Sequence, residues 1–376
     1  MSDADVIVVG LGAVGAAAAW QLAGRGLRVR AFDARRPPHS AGSTHGGSRV
    51  IRETAFEHPR YVPLVRRGYQ LWADLAARAG RQLLSPSGAL YAGVPQASVV
   101  AGSRQSAQAH GVACEELTAA QLRARWPVFA CADGMIGLFE PGGGILRPES
   151  CIRALLDAAE GEGASLHFDE PMLEWGVAGN AAWIRTCTAR YEAAHLVLAL
   201  GPWMLPILEP LARGIWVERV VQHWFVPRGD AAPLSPGRMP IYLWEDADGE
   251  IFYGFPMLDG AMKCAVHHRG ESTTADTARR SVSADEIARA ESLLAKFIPA
   301  AVGPRIYSAV CLYTNTPDGD LLLDRHPAYE RVILASPCNG IGFKFVPAIG
   351  EIVADLAQDR SPRFDIAPFG IARLRA

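Results

Sequence analysis

Lysine is rare in this chain of 376 residues, and two of its three lysines lie where a charged side chain is unexpected. Lys263 lies in the apolar, strand-like segment 262–266, and Lys344 follows a glycine-rich stretch at 340–342. A buried ammonium group costs free energy unless it is paired or used, and arginine cannot replace its compact charge in a tight space. We therefore interpret Lys263 and Lys344 as site residues. The alternative is that each extends from a sheet edge to water; Lys296 fits an ordinary helix-surface cation.

The composition limits the class of protein. Hydrophobic residues make up 49% of the chain and charged residues 20%, and the formal charge is −2, which gives no attraction for nucleic acid or an anionic membrane. No segment reaches the roughly 18 apolar residues of a membrane span, and the first residues lack the basic stretch of a signal peptide. The seven scattered cysteines indicate a reducing compartment, without a disulfide framework or a zinc site. These features predict a soluble, cytoplasmic protein that holds no metal.

The N-terminus carries a dinucleotide-binding pattern. An apolar run at 5–9 precedes Gly10, Gly12 and Gly15, and a second apolar strand at 27–32 ends at Asp33. The glycines allow a tight turn and let the backbone approach a pyrophosphate at the N-terminus of the following helix. A carboxylate at Asp33 suits a ribose hydroxyl and disfavours the additional phosphate of NADP.

The remaining pattern predicts an α/β protein with two domains. One is a Rossmann-type nucleotide-binding domain built from discontinuous segments, and the other is a substrate domain rich in β-sheet. The predicted segments are 1–85, 148–215 and 305–376 for the first domain and 86–147 and 216–304 for the second. The predicted helices span 50–77, 118–126, 147–159, 283–297 and 345–356, with strands at 196–201 and 332–335 and a hairpin of 250–257 with 261–268.

The spacing of polar residues places other side chains near the two unusual lysines. A small, polar, glycine-rich loop spans 37–49, where a long loop after a Rossmann strand is usually functional. His267 lies four residues after Lys263 in a strand, so both side chains point to the same face; the alternative for His267 is a core histidine. Tyr253 lies on that face if the hairpin loop contains three residues, 258–260, and points away if it contains two.

Several motifs in this order resemble the monomeric sarcosine oxidase and N-methyltryptophan oxidase family, within the glycine/D-amino-acid oxidase superfamily. The resemblance extends from about residue 4 to the C-terminus and implies FAD as the cofactor, with a thioether from a cysteine to the flavin ring. Cys311 occupies the position of that cysteine, and Cys264 and Cys338 are nearby alternatives. The motifs are the glycine fingerprint and the segments 42–52, 140–148, 201–203, 262–267, 311–318 and 342–345.

The same resemblance implies roles for individual residues. Lys263 would promote the reaction of the flavin with oxygen, and His45 and Arg49 would lie beside the ring. Arg52 and Lys344 would bind a substrate carboxylate, unless Arg52 forms a solvated pair with Glu53. Arg49 and Arg52 are three residues apart at a predicted helix start, hence on one face. Other candidates are His267 and Tyr253 for catalysis, Tyr313 for the substrate, and Gly10, Gly12, Gly15, Asp33, Ser43, Thr44, Gly201, Trp203, Gly340, Gly342, Phe343 and Lys344 for the cofactor.

The loop before the last helix departs from the family pattern. Ile341 stands where the family usually has histidine, so backbone donation from Gly340 and Gly342 is kept and a side-chain contact is lost. The expected reaction is oxidation of a secondary amine with a carboxylate, such as sarcosine or another N-methyl amino acid, by a monomer that reduces oxygen to peroxide. The alternatives are a flavin dehydrogenase that uses a carrier, an oxidase of N-methyltryptophan, pipecolate or glycated amino acids, an NAD-dependent dehydrogenase, and a flavin-bearing binding protein.

Overall fold

Two large β-sheets organise the computed structural model, which describes residues 4–336 and 339–375. The strands are β1 Ala4–Val9, β2 Val29–Phe32, β3 Arg49–Ile51, β4 Leu84–Pro86, β5 Ala89–Gly93, β6 Glu115–Thr118, β7 Ile136–Glu140, β8 Gly144–Leu146, β9 Ser165–His167, β10 Glu174–Ala178, β11 Ala181–Arg185, β12 Arg190–Leu198, β13 Trp216–Phe225, β14 Ile241–Glu245, β15 Ile251–Gly254, β16 Met262–His267, β17 Glu271–Thr273, β18 Arg305–Asn315, β19 Leu322–His326 and β20 Tyr329–Ser336. The helices are α1 Ala13–Gly24, α2 Val62–Ala79, α3 Ser98–His110, α4 Ala119–Arg125, α5 Pro148–Gly161, α6 Leu205–Leu208, α7 Ala284–Phe297 and α8 Val346–Ala357. No helix in the described part of the chain is long and apolar enough to cross a bilayer.

The first sheet has a parallel core of the Rossmann type. β1 lies between β12 and β2, and β9 and β20 extend the parallel arrangement on either side. β10, β11 and β19 add antiparallel pairs. The apolar sequence of β1 is buried against a hydrophobic cluster on each face of the sheet, as its continuous apolar run predicts.

Helices α1, α5 and α8 cover one face of this sheet. The alanines 16–19 of α1 are fully buried, and their small side chains let α8 approach closely. A Cβ atom at Gly350 of α8 would lie 2.6 Å from the carbonyl oxygen of Ala17, so only glycine fits this crossing. The packing fixes the N-terminus of α1 beside the carboxyl end of β1, where the glycine fingerprint lies.

The second sheet is largely antiparallel, in the order β17-β13-β16-β15-β14-β5-β7-β6, with β18 paired to β13. One of its faces packs with α4 and α7 in a hydrophobic cluster. Lys263 and His267 alternate with the residues of that cluster and therefore lie on the opposite face. Residues 305–315, which the sequence analysis assigned to the nucleotide-binding domain, pair along β13 in this sheet. We propose that the boundary between the second domain and the last segment of the nucleotide-binding domain lies after Asn315, where the chain returns to the first sheet.

The predicted helix over 50–77 is wrong in its first part. Residues 49–51 form β3, which pairs with β8, and α2 begins only at Val62. The intervening segment 52–57 accepts a different conformation because the Glu140 carboxylate binds its backbone N–H groups. Arg49 and Arg52 therefore do not share the face of a helix.

The sequence pattern does not predict α3, which lies within 86–146. The buried side of α3 contains Ser103 and Ser106 beside Val99 and Val100, so the apolar periodicity is weak. By contrast, α4 lies within the predicted helix over 118–126 and begins at a capping box of Thr118 and Gln121.

Candidate active site

A cavity of about 700 Å³ extends from the carboxyl ends of β1 and β2 to the inner face of the second sheet. Its walls come from both sheets, from the loop before β3 and from the turn before α8. Gly15, His45, Lys263 and Cys311 do not line it. The predicted site residues that do are Gly10, Gly12, Asp33, Ser43, Thr44, Arg49, Arg52, Gly201, Trp203, Tyr253, His267, Tyr313, Gly340, Gly342, Phe343 and Lys344.

One end of the cavity has the geometry of a dinucleotide site. Gly10 has a φ of +90°, and a Cβ atom at Gly15 would lie 1.7 Å from the Gly10 carbonyl oxygen, so the turn requires both glycines. No side chain caps the N-terminus of α1, which leaves its N–H groups for an anion. The Asp33 carboxylate accepts hydrogen bonds from Leu11 N at 2.7 Å and Arg35 N at 2.8 Å. The chemistry of this end suits the pyrophosphate and ribose of FAD.

The Gly201–Met204 turn follows β12 at the same end. Trp203 donates from its indole nitrogen to Asp276 at 2.8 Å, and the Arg35 guanidinium lies 5.6 Å from the centre of the Trp203 ring. At the other end, Gly340 has a φ of +69°, and a Cβ atom there would lie 2.4 Å from Tyr313. The two turns therefore bound the cavity with backbone and aromatic surface.

Lys263 lies beneath the loop that contains Gly46 and Ser48. Its ammonium group donates to the carbonyl oxygens of both residues at 2.9 Å, and the rings of Trp224 and Phe255 lie 5.5 and 5.1 Å away. Burial lowers the pKa of Lys263 well below that of a free lysine, and the nearby Arg49 lowers it further. The lysine thus fixes two carbonyl groups of this loop, and Ser48 of the loop lines the cavity.

The Glu149 carboxylate holds the same loop from another direction. It accepts hydrogen bonds from Gly46 N at 2.7 Å and Gly47 N at 3.1 Å. Burial alone would raise the pKa of Glu149, but these backbone donors outweigh burial and lower it. An ionised Glu149 and Lys263 together fix the backbone on both sides of Gly46.

His45, Arg49 and Cys311 form a compact group beside this loop. Arg49 donates to Ser43 O at 2.7 Å and to Ser48 O at 2.8 Å, and its guanidinium lies 3.8 Å from Cys311 Sγ. Cys311 is buried and donates to Ser43 O at 3.2 Å. Burial, then Arg49 and Lys263, lower the pKa of His45 to about 4, so its imidazole is neutral at pH 7.

The alternative cysteines differ from Cys311 in position. Cys264 packs in the cluster with α4 and α7, on the face of the second sheet that points away from the cavity. Burial raises the pKa of the Cys264 thiol, which keeps it protonated. Cys338 lies outside the described residues. Of the two candidates Cys264 and Cys311, Cys311 is the one on the cavity side, in a cluster with Tyr313.

Tyr253, His267 and Tyr313 form an aromatic wall on the second sheet. Tyr253 is opposite Ala265 in the pairing of β15 with β16, and its ring centre is 6.2 Å from that of His267. The ring of Tyr313 lies 5.7 Å from His267. Burial raises the pKa of both tyrosines and lowers that of His267 well below its ordinary value, so all three side chains are uncharged near pH 7.

The orientation of Tyr253 depends on an extra residue in the hairpin as well as on the length of the turn. The turn has two residues, since Leu258 and Ala261 exchange hydrogen bonds across it. A two-residue turn alone would point Tyr253 away, and that expectation is wrong. Three residues, 255–257, lie opposite two, 262–263, so the extra residue restores the register that places Tyr253 on the cavity face.

Arg52, Glu57 and Lys344 form a buried charged group at the wall of the cavity. The Arg52 guanidinium donates to Glu57 Oε1 at 2.6 Å, and the Lys344 ammonium lies 3.8 Å from the same oxygen and donates to Ile341 O at 3.0 Å. Arg52 and Lys344 are each 3% exposed. The other oxygen, Glu57 Oε2, has no hydrogen-bond partner among the described residues. The alternative for Arg52, a solvated pair with Glu53, does not form, because Arg52 binds Glu57 and Glu53 binds Arg66 at 2.8 Å.

The charges of this group depend on one another. Burial alone would raise the pKa of Glu57, but Arg52 and Lys344 outweigh it and lower the pKa to about 2. Burial lowers the pKa of Lys344 to about 7, although Glu57 acts in the opposite direction. Near pH 7 the group therefore contains a fixed cation, a fixed anion and a lysine that titrates.

Sequence reasoning missed several residues that line the cavity. They include Phe56, Glu57, Gln222, Leu243 and Phe255. Gln222 could have been found as a polar residue within the largely apolar β13, on the same face of the sheet as Lys263. Glu57 gave no comparable signal, because its contact with Arg52 depends on the conformation of a loop without regular structure.

Comparison with known proteins agrees with this geometry. Residues 5–356 match the model of a family described as FAD dependent oxidoreductase. The chain belongs to this family. It is 39% identical to the monomeric sarcosine oxidase of Streptomyces avermitilis, over 99% of this chain and 98% of that protein. It is 34% identical to the N-methyl-L-tryptophan oxidase of Yersinia pestis, over 99% of this chain and all of that protein.

Solved structures support the same assignment. The open form of NikD, an unusual amino acid oxidase essential for nikkomycin biosynthesis, superposes with a TM-score of 0.85 at 25% identity, over 98% of each chain. Glycine oxidase from Geobacillus kaustophilus shares the fold with a TM-score of 0.82 at 22% identity, over 98% of each chain. The protein is an FAD-dependent oxidoreductase of the sarcosine oxidase type that acts on the CH–NH group of amines. The recognised family and the predicted α/β fold with two domains are confirmed.

Proposed function

We propose that this protein is an FAD-dependent oxidase of secondary amines that bear a carboxylate, such as sarcosine or another N-methyl amino acid. The observation that carries the proposal is the pair of buried cations, Arg52 and Lys344, at the wall of the cavity. A planar guanidinium beside an ammonium group suits a carboxylate better than it suits a neutral amine. The products are an imine, which water hydrolyses to an amine and an aldehyde, and hydrogen peroxide.

The proposed binding mode uses the charges already present in the cavity. The substrate carboxylate accepts hydrogen bonds from Arg52 and Lys344, in competition with Glu57. The amine end then faces the uncharged wall of Tyr253, His267 and Tyr313. Because this wall carries no formal charge, it favours the free amine over the ammonium form, and the free amine needs no protein base before oxidation.

The chemistry that bound FAD would supply here is acceptance of a hydride equivalent from the C–H next to nitrogen and transfer of the electrons to oxygen. Gly10, Gly12 and Asp33 would hold its pyrophosphate and ribose. The residues near the ring would be Ser43, Thr44, Arg49 and the turn of Gly340 to Phe343. The protein contributes the position and orientation of the amine, and these are the main source of rate in such a site.

Lys263 is proposed to assist the reaction with oxygen. Its ammonium group binds the carbonyl oxygens of Gly46 and Ser48, in the loop that forms part of the cavity wall. A cation in a buried site stabilises negative charge that forms on oxygen during electron transfer. Arg49, in the same group, would add to the positive field, and the neutral imidazole of His45 would shape the ring environment.

Cys311 is proposed as the attachment point of a covalent flavin. It lies on the cavity side of the second sheet, in the same buried cluster as Tyr313, with the Arg49 guanidinium 3.8 Å from its sulfur atom. Denaturation of the purified wild type should leave the yellow flavin with the protein precipitate. A Cys311→Ser variant should release it, and a Cys264→Ser variant should retain it. Retention by Cys311→Ser would show that another group carries the bond.

The choice between oxygen and a carrier as electron acceptor is tested by peroxide. A peroxide-coupled screen of N-methyl and cyclic amino acids, each paired with the same amine without the carboxylate, identifies the substrate class. The expected result is one peroxide per amine oxidised and a strong preference for the acid-bearing member of each pair. Turnover with an artificial electron carrier but without peroxide would indicate a dehydrogenase. The monomeric state and the cytoplasmic location remain predictions.

A further inference from the structure

Glu140 is a buried carboxylate outside the residues that the reaction has used so far. It is 1% exposed and lies at the end of β7 in the second sheet. It accepts hydrogen bonds from Glu53 N at 2.6 Å and Thr54 N at 3.0 Å, and from the Thr54 hydroxyl group. A strand of the substrate sheet thus holds the backbone that directly follows Arg52.

Tyr91 completes this arrangement from the neighbouring strand, β5. Its hydroxyl oxygen lies 3.1 Å from Glu140 Oε2 and 2.7 Å from the Thr54 hydroxyl oxygen. Burial, reinforced by the Glu140 charge, raises the pKa of Tyr91 well above that of a free tyrosine, so the hydroxyl group stays protonated. The carboxylate therefore has donors from both the hydroxyl groups and the backbone, which compensate its burial.

The group of Thr54, Tyr91 and Glu140 contacts Arg52 directly. The Arg52 guanidinium donates to the carbonyl oxygen of Thr54. It also lies 5.6 Å from the centre of the Tyr91 ring and 4.7 Å from that of Phe56. One terminal nitrogen of the guanidinium, Nη1, thus binds the Thr54 carbonyl, and the other, Nη2, binds Glu57. Two aromatic rings pack against the guanidinium group.

We propose that Thr54, Tyr91 and Glu140 are positioning residues that set the affinity of the enzyme for the substrate carboxylate. They fix the Thr54 carbonyl, and through it the orientation of the Arg52 fork. A guanidinium that leaves Glu57 for a substrate keeps its contact with this carbonyl, so it binds without a search among rotamers. The inference rests on the proposed function, because it assumes that Arg52 receives the carboxylate.

The test uses the flavin-loaded enzyme and three single variants, Glu140→Gln, Tyr91→Phe and Thr54→Val. Each change should raise the KM for the acid-bearing amine and the Kd of acetate, read from flavin absorbance, together by about tenfold, the usual effect of losing a hydrogen bond to a charged group. The kcat at saturating amine should change less than about twofold, because the aromatic wall is untouched. A purely structural role would lower stability without coupling KM to the acetate Kd.

Two matched controls come from the same sheet. Tyr242 is as buried as Tyr91, points to the opposite face and has a hydroxyl group without a hydrogen-bond partner among the described residues. Glu245 accepts hydrogen bonds from Ser98 and Val99 at the start of α3, away from the cavity. Tyr242→Phe and Glu245→Gln should leave both KM and the acetate Kd unchanged.

An Arg52→Gln variant separates this inference from the proposed function. If Arg52→Gln binds acetate as the wild type does, Arg52 is not the carboxylate site and the proposed function fails. If Arg52→Gln weakens acetate binding but Tyr91→Phe and Thr54→Val do not, the positioning inference is overturned. The two hydroxyl deletions decide the question even if Glu140→Gln does not fold.

Discussion

The two buried lysines of this enzyme occupy contrasting environments. Lys344 lines the cavity and lies 3.8 Å from the Glu57 carboxylate, next to Arg52. Lys263 is bound to the neutral carbonyl oxygens of Gly46 and Ser48, and among the described residues no carboxylate lies within ion-pair distance of it. One lysine is therefore balanced by a fixed anion, and the other is not.

The difference teaches how one residue type can serve two steps of a reaction. Lys344, beside Glu57, is partly protonated near pH 7 because its pKa is about 7. Its ammonium form can bind a substrate carboxylate in place of Glu57. Lys263 is bound only by carbonyl groups, so its ammonium form gains most stabilisation when negative charge develops nearby. We therefore propose that Lys344 binds the carboxylate of the amine and that Lys263 acts in the reaction with oxygen.

The largest expected effect concerns Lys263. Lys263→Met should slow the reaction of the reduced enzyme with oxygen by roughly 100-fold, the usual cost of removing one preorganised electrostatic group. Reduction of the flavin by the amine without oxygen should stay within a few-fold of the wild type. Stopped-flow absorbance of the two half-reactions measures both rates.

The exposed Lys296 provides the control for that experiment. Lys296 lies on α7, far along the chain from the loop that Lys263 holds, and its side chain is 54% exposed. Lys296→Met should change neither half-reaction. Equal slowing of both half-reactions in Lys263→Met would mean that the lysine only supports the loop of Gly46 and Ser48.

A smaller effect is expected at Lys344. Lys344→Met should raise the KM for an acid-bearing amine by about 10- to 100-fold, because a buried charge partner of the carboxylate is lost. The oxygen half-reaction should be unchanged, which is the reverse of the pattern for Lys263→Met. Steady-state kinetics with the amine and stopped-flow reoxidation check the two halves. An unchanged KM would remove Lys344 from the carboxylate site.

The pH dependence of carboxylate binding gives a milder test of the same contrast. The Lys344 pKa of about 7 means that the free enzyme loses this cation as the pH rises through about 7. Because a carboxylate binds the protonated lysine, the acetate Kd should rise by up to about tenfold per pH unit above that value and stay level below it. Glu57, with a pKa of about 2, does not titrate in this range.

The Lys344→Met variant provides the control for this pH dependence. In Lys344→Met the acetate Kd should be weak at every pH and should lose the change near pH 7. A wild-type acetate Kd that is constant from about pH 6 to about pH 9 would contradict the assignment of the titrating cation to Lys344.

The sequence predicted the parts of the site that depend on local pattern. The fingerprint of Gly10, Gly12 and Gly15 with Asp33 follows from one strand–turn–helix unit, and the structure has that unit. The shared face of Lys263 and His267 follows from strand alternation. Both inferences need only neighbouring residues.

The parts that the sequence did not predict depend on contacts between distant segments. Glu57 reaches Arg52 because Glu140, more than eighty residues later, holds the segment between them outside a helix. The register of Tyr253 depends on an extra residue opposite the hairpin turn, which turn length alone does not reveal. Long-range hydrogen bonds set the first feature and a bulge within the hairpin sets the second, and neither follows from local propensity or turn length.

The most direct test compares one amine with and without its carboxylate, in the wild type and in Arg52→Gln, by kcat/KM for peroxide formation. The wild type should prefer the acid-bearing amine by about 100-fold or more, and Arg52→Gln should lose most of that preference. Equal kcat/KM for the two amines in the wild type, or an unchanged preference in Arg52→Gln, would contradict the proposed function.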